Sequence, residues 1–398
     1  MKKIILRLGL CLSVLFISGC WDRKELNEQA IWIGSGWDVA KNGGIEVSGQ
    51  IVIPSNIQTQ GGGGGTAQKG FFTISAIGKN LTDALQNIQT KLPREAFSGQ
   101  RRVIIFGEPF ARRGIKKELD NNQRRAEVSL RTDVFVIKGA TAKKALSVSN
   151  PLEKPPITAT LGEHEQSGGS GNTAYLDLLM AATSDGIRPS IPVLEFSSTQ
   201  GGKRKGKESA NPQLLQIAGV AIFDKNLKMQ GILNMEENRH MLWVMGIQKT
   251  LTIGVKKKDV NASLTLDKLS SKIEPHISKN QQITFTITLK GDGSLKENNS
   301  GLDVRYPNNL KRLEKEFEKI SQKQVQQTVT KVQKEYGLDI FGLGEVIHRK
   351  NPNQWKLLKH DWDKKFSEAN IIVKTDLRIE EIGMDGPSLL FKESEIKR

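Results

Sequence analysis

Ile283-Thr284-Phe285-Thr286-Ile287-Thr288-Leu289 is followed, after a short polar stretch, by a helical pattern running from Pro307 to about Tyr336. The first stretch alternates apolar residues with threonine, which predicts a strand with one buried and one wet face. In the second, Leu310, Leu313, Phe317 and Ile320 recur at intervals of three and four, and Val325, Val329 and Val332 continue the stripe. Lys, Glu and Gln fill the opposite side, so the helix has an apolar face for packing on a neighbouring sheet. Together the two stretches predict an α+β arrangement with a long helix packed on a carboxy-terminal antiparallel sheet.

Reading outward from there, Gly337 is placed to cap the long helix. Asp339-Ile340-Phe341-Gly342-Leu343-Gly344 follows, and a second helix is expected from about Asn353, with Trp355, Leu358, Trp362 and Phe366 on one face. A core-facing role for the two tryptophans fits this spacing better than ligand stacking. Ile371, Val373, Thr375, Leu377 and Ile379 alternate in a last strand. Towards the amino terminus, Leu214–Phe223 is read as the start of this second strand-rich region, which spans residues 213–392 and has room for two subdomains.

Residues 20–200 read differently. Strands are expected at Ala30–Val39 and Ile45–Ile53 around the Asn42-Gly43 turn, then at Phe71–Ile77, Val103–Phe106 and Val134–Ile137. A helix capped by Asn80 carries Leu81, Leu85, Ile88 and Leu92 on one face. Further helices are expected through Leu119 and Leu130 and over Tyr175–Ala182. Alternating strands and helices predict a mixed α/β domain, giving a multi-domain chain overall. Gly61–Gly65 lacks the spacing and lysine of a phosphate loop and is read as a plain loop. Residues 201–212, with Lys203-Arg204-Lys205-Gly206-Lys207, are read as a basic, glycine-rich linker or loop.

The amino terminus has its own logic. Lys2, Lys3 and Arg7 precede a short apolar run, Leu8–Ile17, and Ile17-Ser18-Gly19-Cys20 closes it. That order is a secretory signal, and a run this short falls well below the ~20 residues needed to span a bilayer. An aliphatic residue and two small ones before a cysteine predict a lipoprotein signal over residues 1–19, with Cys20 acylated as the new amino terminus. The chain has two cysteines, Cys11 and Cys20. Cys11 leaves with the signal and lipid blocks Cys20, which excludes a cysteine nucleophile or a thiolate metal site.

The formal net charge is +16. In an exported protein this points to anionic headgroups or an anionic wall rather than to nucleic acid, or simply to a solvated basic surface. The five histidines, His164, His240, His276, His348 and His360, show no helical ligand spacing. His164-Glu165 opens like a zinc-protease signature, but position 168 is Gly168 and the second ligand is missing. No nucleophile elbow or Walker loop is present, so no catalytic set, metal site or cofactor site is expected.

Gly19-Cys20-Trp21-Asp22-Arg23-Lys24-Glu25-Leu26-Asn27-Glu28 resembles the opening of the spore-germination receptor C-subunit lipoproteins. Ile105-Phe106-Gly107-Glu108 with Ala111-Arg112-Arg113-Gly114-Ile115 is similar to the middle of their amino-terminal region. Asp339–Gly344, Pro352, Trp355, Trp362 and Phe366 resemble their carboxy-terminal signature. The likeness covers nearly the whole chain after the signal. It implies a fold of several mixed α/β domains, no catalytic activity, and a place on the outer face of the spore inner membrane. The implied partners are two integral membrane proteins, the A and B subunits of a nutrient germinant receptor. The alternative is a solute-binding lipoprotein feeding a transporter. That class has two doubly wound lobes, which the expected antiparallel carboxy-terminal sheet disfavours.

Overall fold

The computed structural model describes residues 28–53, 70–125, 127–148, 156–166, 173–197, 214–257, 260–383, 394 and 396. Cys20, the five-glycine run and the Lys203–Lys207 stretch lie outside the described residues. The described chain is a mixed α+β protein built on two sheets, as the hydropathy patterns predict.

The first sheet begins with β1 (Gln29–Val39) and β2 (Ile45–Val52), an antiparallel hairpin, and β2 pairs with β3 (Phe71–Gly78). Gly43 supplies the positive φ that the tight connection requires (81°). Helix α1 (Leu81–Gln89) follows, and Asn80 caps it by accepting the Asp83 N–H at 3.0 Å. The short β4 (Glu95–Phe97) runs parallel to the start of β1. β5 (Val103–Gly107) pairs parallel with β1 further along and leads into helices α2 (Glu108–Arg113) and α3 (Lys116–Gln123). β6 (Asp133–Ile137), α4 (Ala142–Ser147), α5 (Ala159–Gln166) and α6 (Tyr175–Thr183) come next. The expected helix through Leu130 is absent: residues 127–132 form turns, with the Thr132 N–H bonded to the Ser129 carbonyl at 3.3 Å.

Both faces of this sheet are covered, which explains the unbroken apolar run in β5. Ile104 and Phe106 pack with Phe110, Leu119, Tyr175 and Leu178 on one side. Val103 and Ile105 pack with Ala142, Leu146 and Ile157 on the other. Asp38, buried at the end of β1, fixes α4 by accepting the N–H groups of Ala142 and Lys143 at 2.9 and 3.0 Å.

β7 (Ser190–Ser197) pairs parallel with β6, then antiparallel with β8 (Leu214–Phe223), and β8 pairs with β9 (Met229–Asn234). Leu214–Phe223 therefore extends the first sheet and does not open a second one. Ser197 and Leu214 are register partners, so the basic glycine-rich stretch joins adjacent strands of one sheet. Helix α7 (Met235–Val244), capped by Asn234 and Glu237, carries the chain to the second sheet.

The second sheet has the order β10 (Leu251–Lys257), β11 (Val260–Ile277), β12 (Ile283–Asn298), β13 (Asn370–Glu381). The first three strands are antiparallel and β13 joins β12 in parallel. In β12, Ile283, Phe285, Ile287 and Leu289 are buried and their threonine neighbours are partly exposed, as the alternation predicts. Between β12 and β13 lies α8 (Pro307–Lys331), whose last turn widens into a π-helix over Val332–Tyr336 before Gly337 ends it in the left-handed conformation. Leu313, Phe317, Val325, Val329 and Val332 are buried against the sheet.

The helix expected from about Asn353 is two pieces, α10 (Pro352–Leu358) and α11 (Trp362–Glu368), joined by a 3-10 turn at Lys359–Asp361, and a further helix, here α9 (Leu343–Lys350), precedes them. The breaks let Trp355 and Trp362 meet edge to face at 5.2 Å between ring centres. Both are buried (3% and 1% exposed), so they are core residues.

α8 also closes the outer edge of β13. Gln326 accepts the Val373 N–H, Glu318 the Leu377 N–H and Glu314 the Ile379 N–H, all at 3.0–3.1 Å, and Gln326 donates to the Ile371 carbonyl. Twelve helical residues rise about 18 Å and six strand residues about 20 Å, so helix and strand stay in step.

Candidate functional site

The carboxy-terminal signature folds into a buried knot where the two sheets' units meet. Asp339 sits in the loop between the π-helical turn and α9 and is fully buried. Its Oδ1 accepts the N–H groups of Phe341 and Gly342 at 3.1 and 2.9 Å. Its Oδ2 accepts the Gly344 N–H at 2.8 Å and the Trp362 indole N–H at 3.0 Å. Burial pushes the carboxyl up to about 6, and the four N–H donors act against that rise. At neutral pH the group is thus the ionised acceptor that four donors require.

The knot is tied to the amino-terminal unit through the segment that enters β7. The Asp339 carbonyl accepts the Arg188 N–H at 2.7 Å. The Arg188 guanidinium, with its side chain 3% exposed, pairs with Asp363 at 2.8 Å and donates to the Ile187 carbonyl at 3.1 Å. Ser184 donates to Glu345, and Lys359 pairs with Asp185 at 3.4 Å. Gly186 and Gly344 pack backbone on backbone: a Cβ on Gly344 would lie 2.7 Å from the Gly186 Cα. Only glycine permits that approach. The sequence patterns single out the Asp339–Gly344 side of this joint. They miss Gly186 and Arg188, whose partners are more than 150 positions away.

The remaining candidate residues do not converge on one site. His164 is buried and lies edge-on to Phe135. His240 is buried between α7 and α8, with Nδ1 2.9 Å from the Thr328 hydroxyl, and burial pulls it down to about 4. His348 stacks on Trp355 beside Glu345. Among the described residues no three His, Cys, Asp or Glu side chains come together as a metal set. A polar cleft of about 270 Å³ opens between α7, β10 and α8, and the Glu236–Gln324 hydrogen bond at 2.8 Å spans its wall. No helix among the described residues is long and apolar enough to cross a membrane.

This fold has known counterparts. Residues 22–196 match the model of the spore germination protein N-terminal domain, and residues 218–383 match that of the spore germination B3/GerAC-like C-terminal domain. Spore germination protein KC of Bacillus subtilis (strain 168) is 27% identical over 395 residues, covering 96% of this chain and 97% of that protein. Spore germination protein B3 of the same strain is 24% identical, covering 94% and 96%. The crystal structure of the GerBC protein superposes with a TM-score of 0.56 at 21% identity, over 87% of this chain and 97% of that one. With both domain models matched in order and relatives aligned nearly end to end, the chain belongs to the spore germination receptor C-subunit family.

Proposed function

We propose that this protein is a lipid-anchored subunit of a nutrient germinant receptor, held by acylated Cys20 on the outer face of the spore inner membrane. It works by contact with the integral membrane A and B subunits. The observation that carries the reading is the match of both family models along the chain, and the Ile17-Ser18-Gly19-Cys20 sequence ahead of them reads as the end of a lipoprotein signal over residues 1–19, cut before Cys20. The joint at Asp339 supports a role as a contact body: buried hydrogen bonds and an ion pair link the two sheet units, as a subunit that transmits or scaffolds contacts needs. The solute-binding alternative draws no support from the second unit, whose sheet is largely antiparallel and packs on a long helix.

Two experiments test this reading. Purification of the lipidated protein from spore membranes is expected to bring both integral membrane subunits with it, and recovery of neither would defeat the contact role. Cys20→Ala is expected to release the protein from membranes and to impair germination. Unchanged membrane retention would remove the anchor.

A further inference from the structure

We propose that the cavity around Arg101 binds a single monovalent anion of halide size, with chloride as its occupant. Arg101 and Arg102 are adjacent just before β5, and the fold separates their fates. Arg102 is exposed, whereas Arg101 is buried (6% exposed). The Arg101 guanidinium donates to the Ser35 hydroxyl from Nη1 and to the Asn122 side-chain oxygen from Nη2, both at 3.4 Å. Those contacts stand beyond the usual N–H···O range and are weak. The Nε–H has no acceptor among the described residues. Burial pulls the group down to about 10, so it keeps its charge at neutral pH.

A buried charge is costly unless an opposite charge accompanies it. Among the described residues the hydrogen bonds of Arg101 go to neutral oxygens, and no acid forms an ion pair with it. The other guanidinium that acts on it, Arg125, lines the same cavity and repels it. Tyr175 is no counter-ion either. Burial pushes its phenol up and keeps it neutral, and its hydroxyl donates to the Leu119 carbonyl at 3.1 Å. The acids on neighbouring elements are exposed: Asp120 pairs with Arg124 at 3.1 Å, Glu127 accepts the Ser98 hydroxyl at 3.3 Å, and Glu95 stands on the open side of β4.

The cavity is also rich in donors. The Trp32 indole N–H and the Asn122 side-chain NH₂ belong to its wall, and neither has an acceptor in hydrogen-bonding geometry among the described residues. A β-bulge between Trp32 and Gly34 brings Trp32 to the face that carries Ser35 and Trp37. Without that extra residue, strand alternation would turn the indole to the other side of the sheet. The cavity measures about 20 Å³, little more than one water-sized sphere. Leu81 and Leu85 close its apolar side. A water placed there meets more donors than acceptors. An anion accepts from the guanidinium, the indole and the amide together and neutralises the buried charge. The volume suits a monatomic anion and is too small for sulfate or phosphate.

The test is a sodium chloride titration of the full-length protein in nonionic detergent, with sodium gluconate holding the ionic strength. Chlorine NMR line broadening reports the bound anion. Saturable broadening is expected, displaced by bromide and not by sulfate. Arg101→Gln removes a charged donor and should weaken chloride binding by about tenfold or more. Arg349→Gln, at an exposed arginine of the second unit, should leave it unchanged. The thermal unfolding midpoint should rise as chloride replaces gluconate, and Arg101→Gln should abolish that rise. Broadening that grows without saturating, or that survives intact in Arg101→Gln, would overturn the site and leave only the ion cloud of a basic surface. Sulfate displacing chloride as well as bromide does would overturn the halide-sized occupant. If circular dichroism shows that Arg101→Gln does not fold, Trp32→Phe carries the same test. It removes one donor and keeps an aromatic ring, so chloride should bind several-fold more weakly, and an unchanged affinity would overturn the site.

Discussion

Asp339→Asn is the sharpest perturbation of the joint, because it changes one atom and leaves no cavity. The carboxylate serves two donors with each oxygen: the Phe341 and Gly342 N–H groups with Oδ1, and the Gly344 N–H and Trp362 indole with Oδ2. Asparagine keeps one oxygen and turns an NH₂ group towards the other pair. Two buried N–H groups lose their acceptor and face a donor instead. An unsatisfied buried donor costs about 1–3 kcal/mol, so the expected loss is about 2–6 kcal/mol. With a urea slope of about 2 kcal/mol/M, the unfolding midpoint at pH 7.5 should fall by about 1–3 M, followed by tryptophan fluorescence. Trp362→Phe removes one of the four donors. The double variant should therefore lose less than the sum of the single losses. If Asp339→Asn unfolds within about 0.5 kcal/mol of the unaltered protein, the carboxylate is not organising these four donors and the account of the joint fails.

Other outcomes follow from the same structure. Trp362→Ala removes a fully buried ring and should cost about 3–5 kcal/mol in the same urea assay, with no specific loss of binding beyond that from unfolding. Gly186→Ala places a Cβ 2.7 Å from the Glu345 backbone nitrogen, and the overpacking should cost about 1–3 kcal/mol and raise protease cleavage between the two units. His240 is neutral when folded, with its titration pulled down to about 4 by burial, whereas the unfolded side chain titrates near ~6.5. Its contribution is complete above about pH 6.5 and disappears as pH falls towards 4. Stability should therefore drop by up to about 3 kcal/mol over that window, and His240→Gln should flatten this part of the profile.

How far the sequence reveals this fold depends on whether the signal is local. The Asn80 cap, the Asn42-Gly43 turn, the alternation in β12 and the stripe of α8 are patterns within a few residues, and each element stands where its pattern puts it. Helix α9 is missed because Gly342 and Gly344, poor helix formers, flank its first residue and weaken the helical pattern. The second glycine is there for contact with Gly186, a requirement imposed from across the molecule. Leu214–Phe223 looks like a fresh start because a basic, glycine-rich stretch precedes it, yet its hydrogen bonds go back to β7. The buried Arg188 has no periodic neighbour to announce it, and only the folded chain pairs it with Asp363. The signature around Asp339 is visible as a motif, but its role as the joint between units is not.

The fastening of α8 along β13 decides where the second sheet is open to other polypeptides. An unshielded strand flank invites any extended segment to add itself, including a second copy of the same protein. Here glutamate and glutamine side chains already fill the places an incoming strand would take. Growth of that sheet is confined to the β10 flank, so an extended segment from another polypeptide that joins it must arrive from that side.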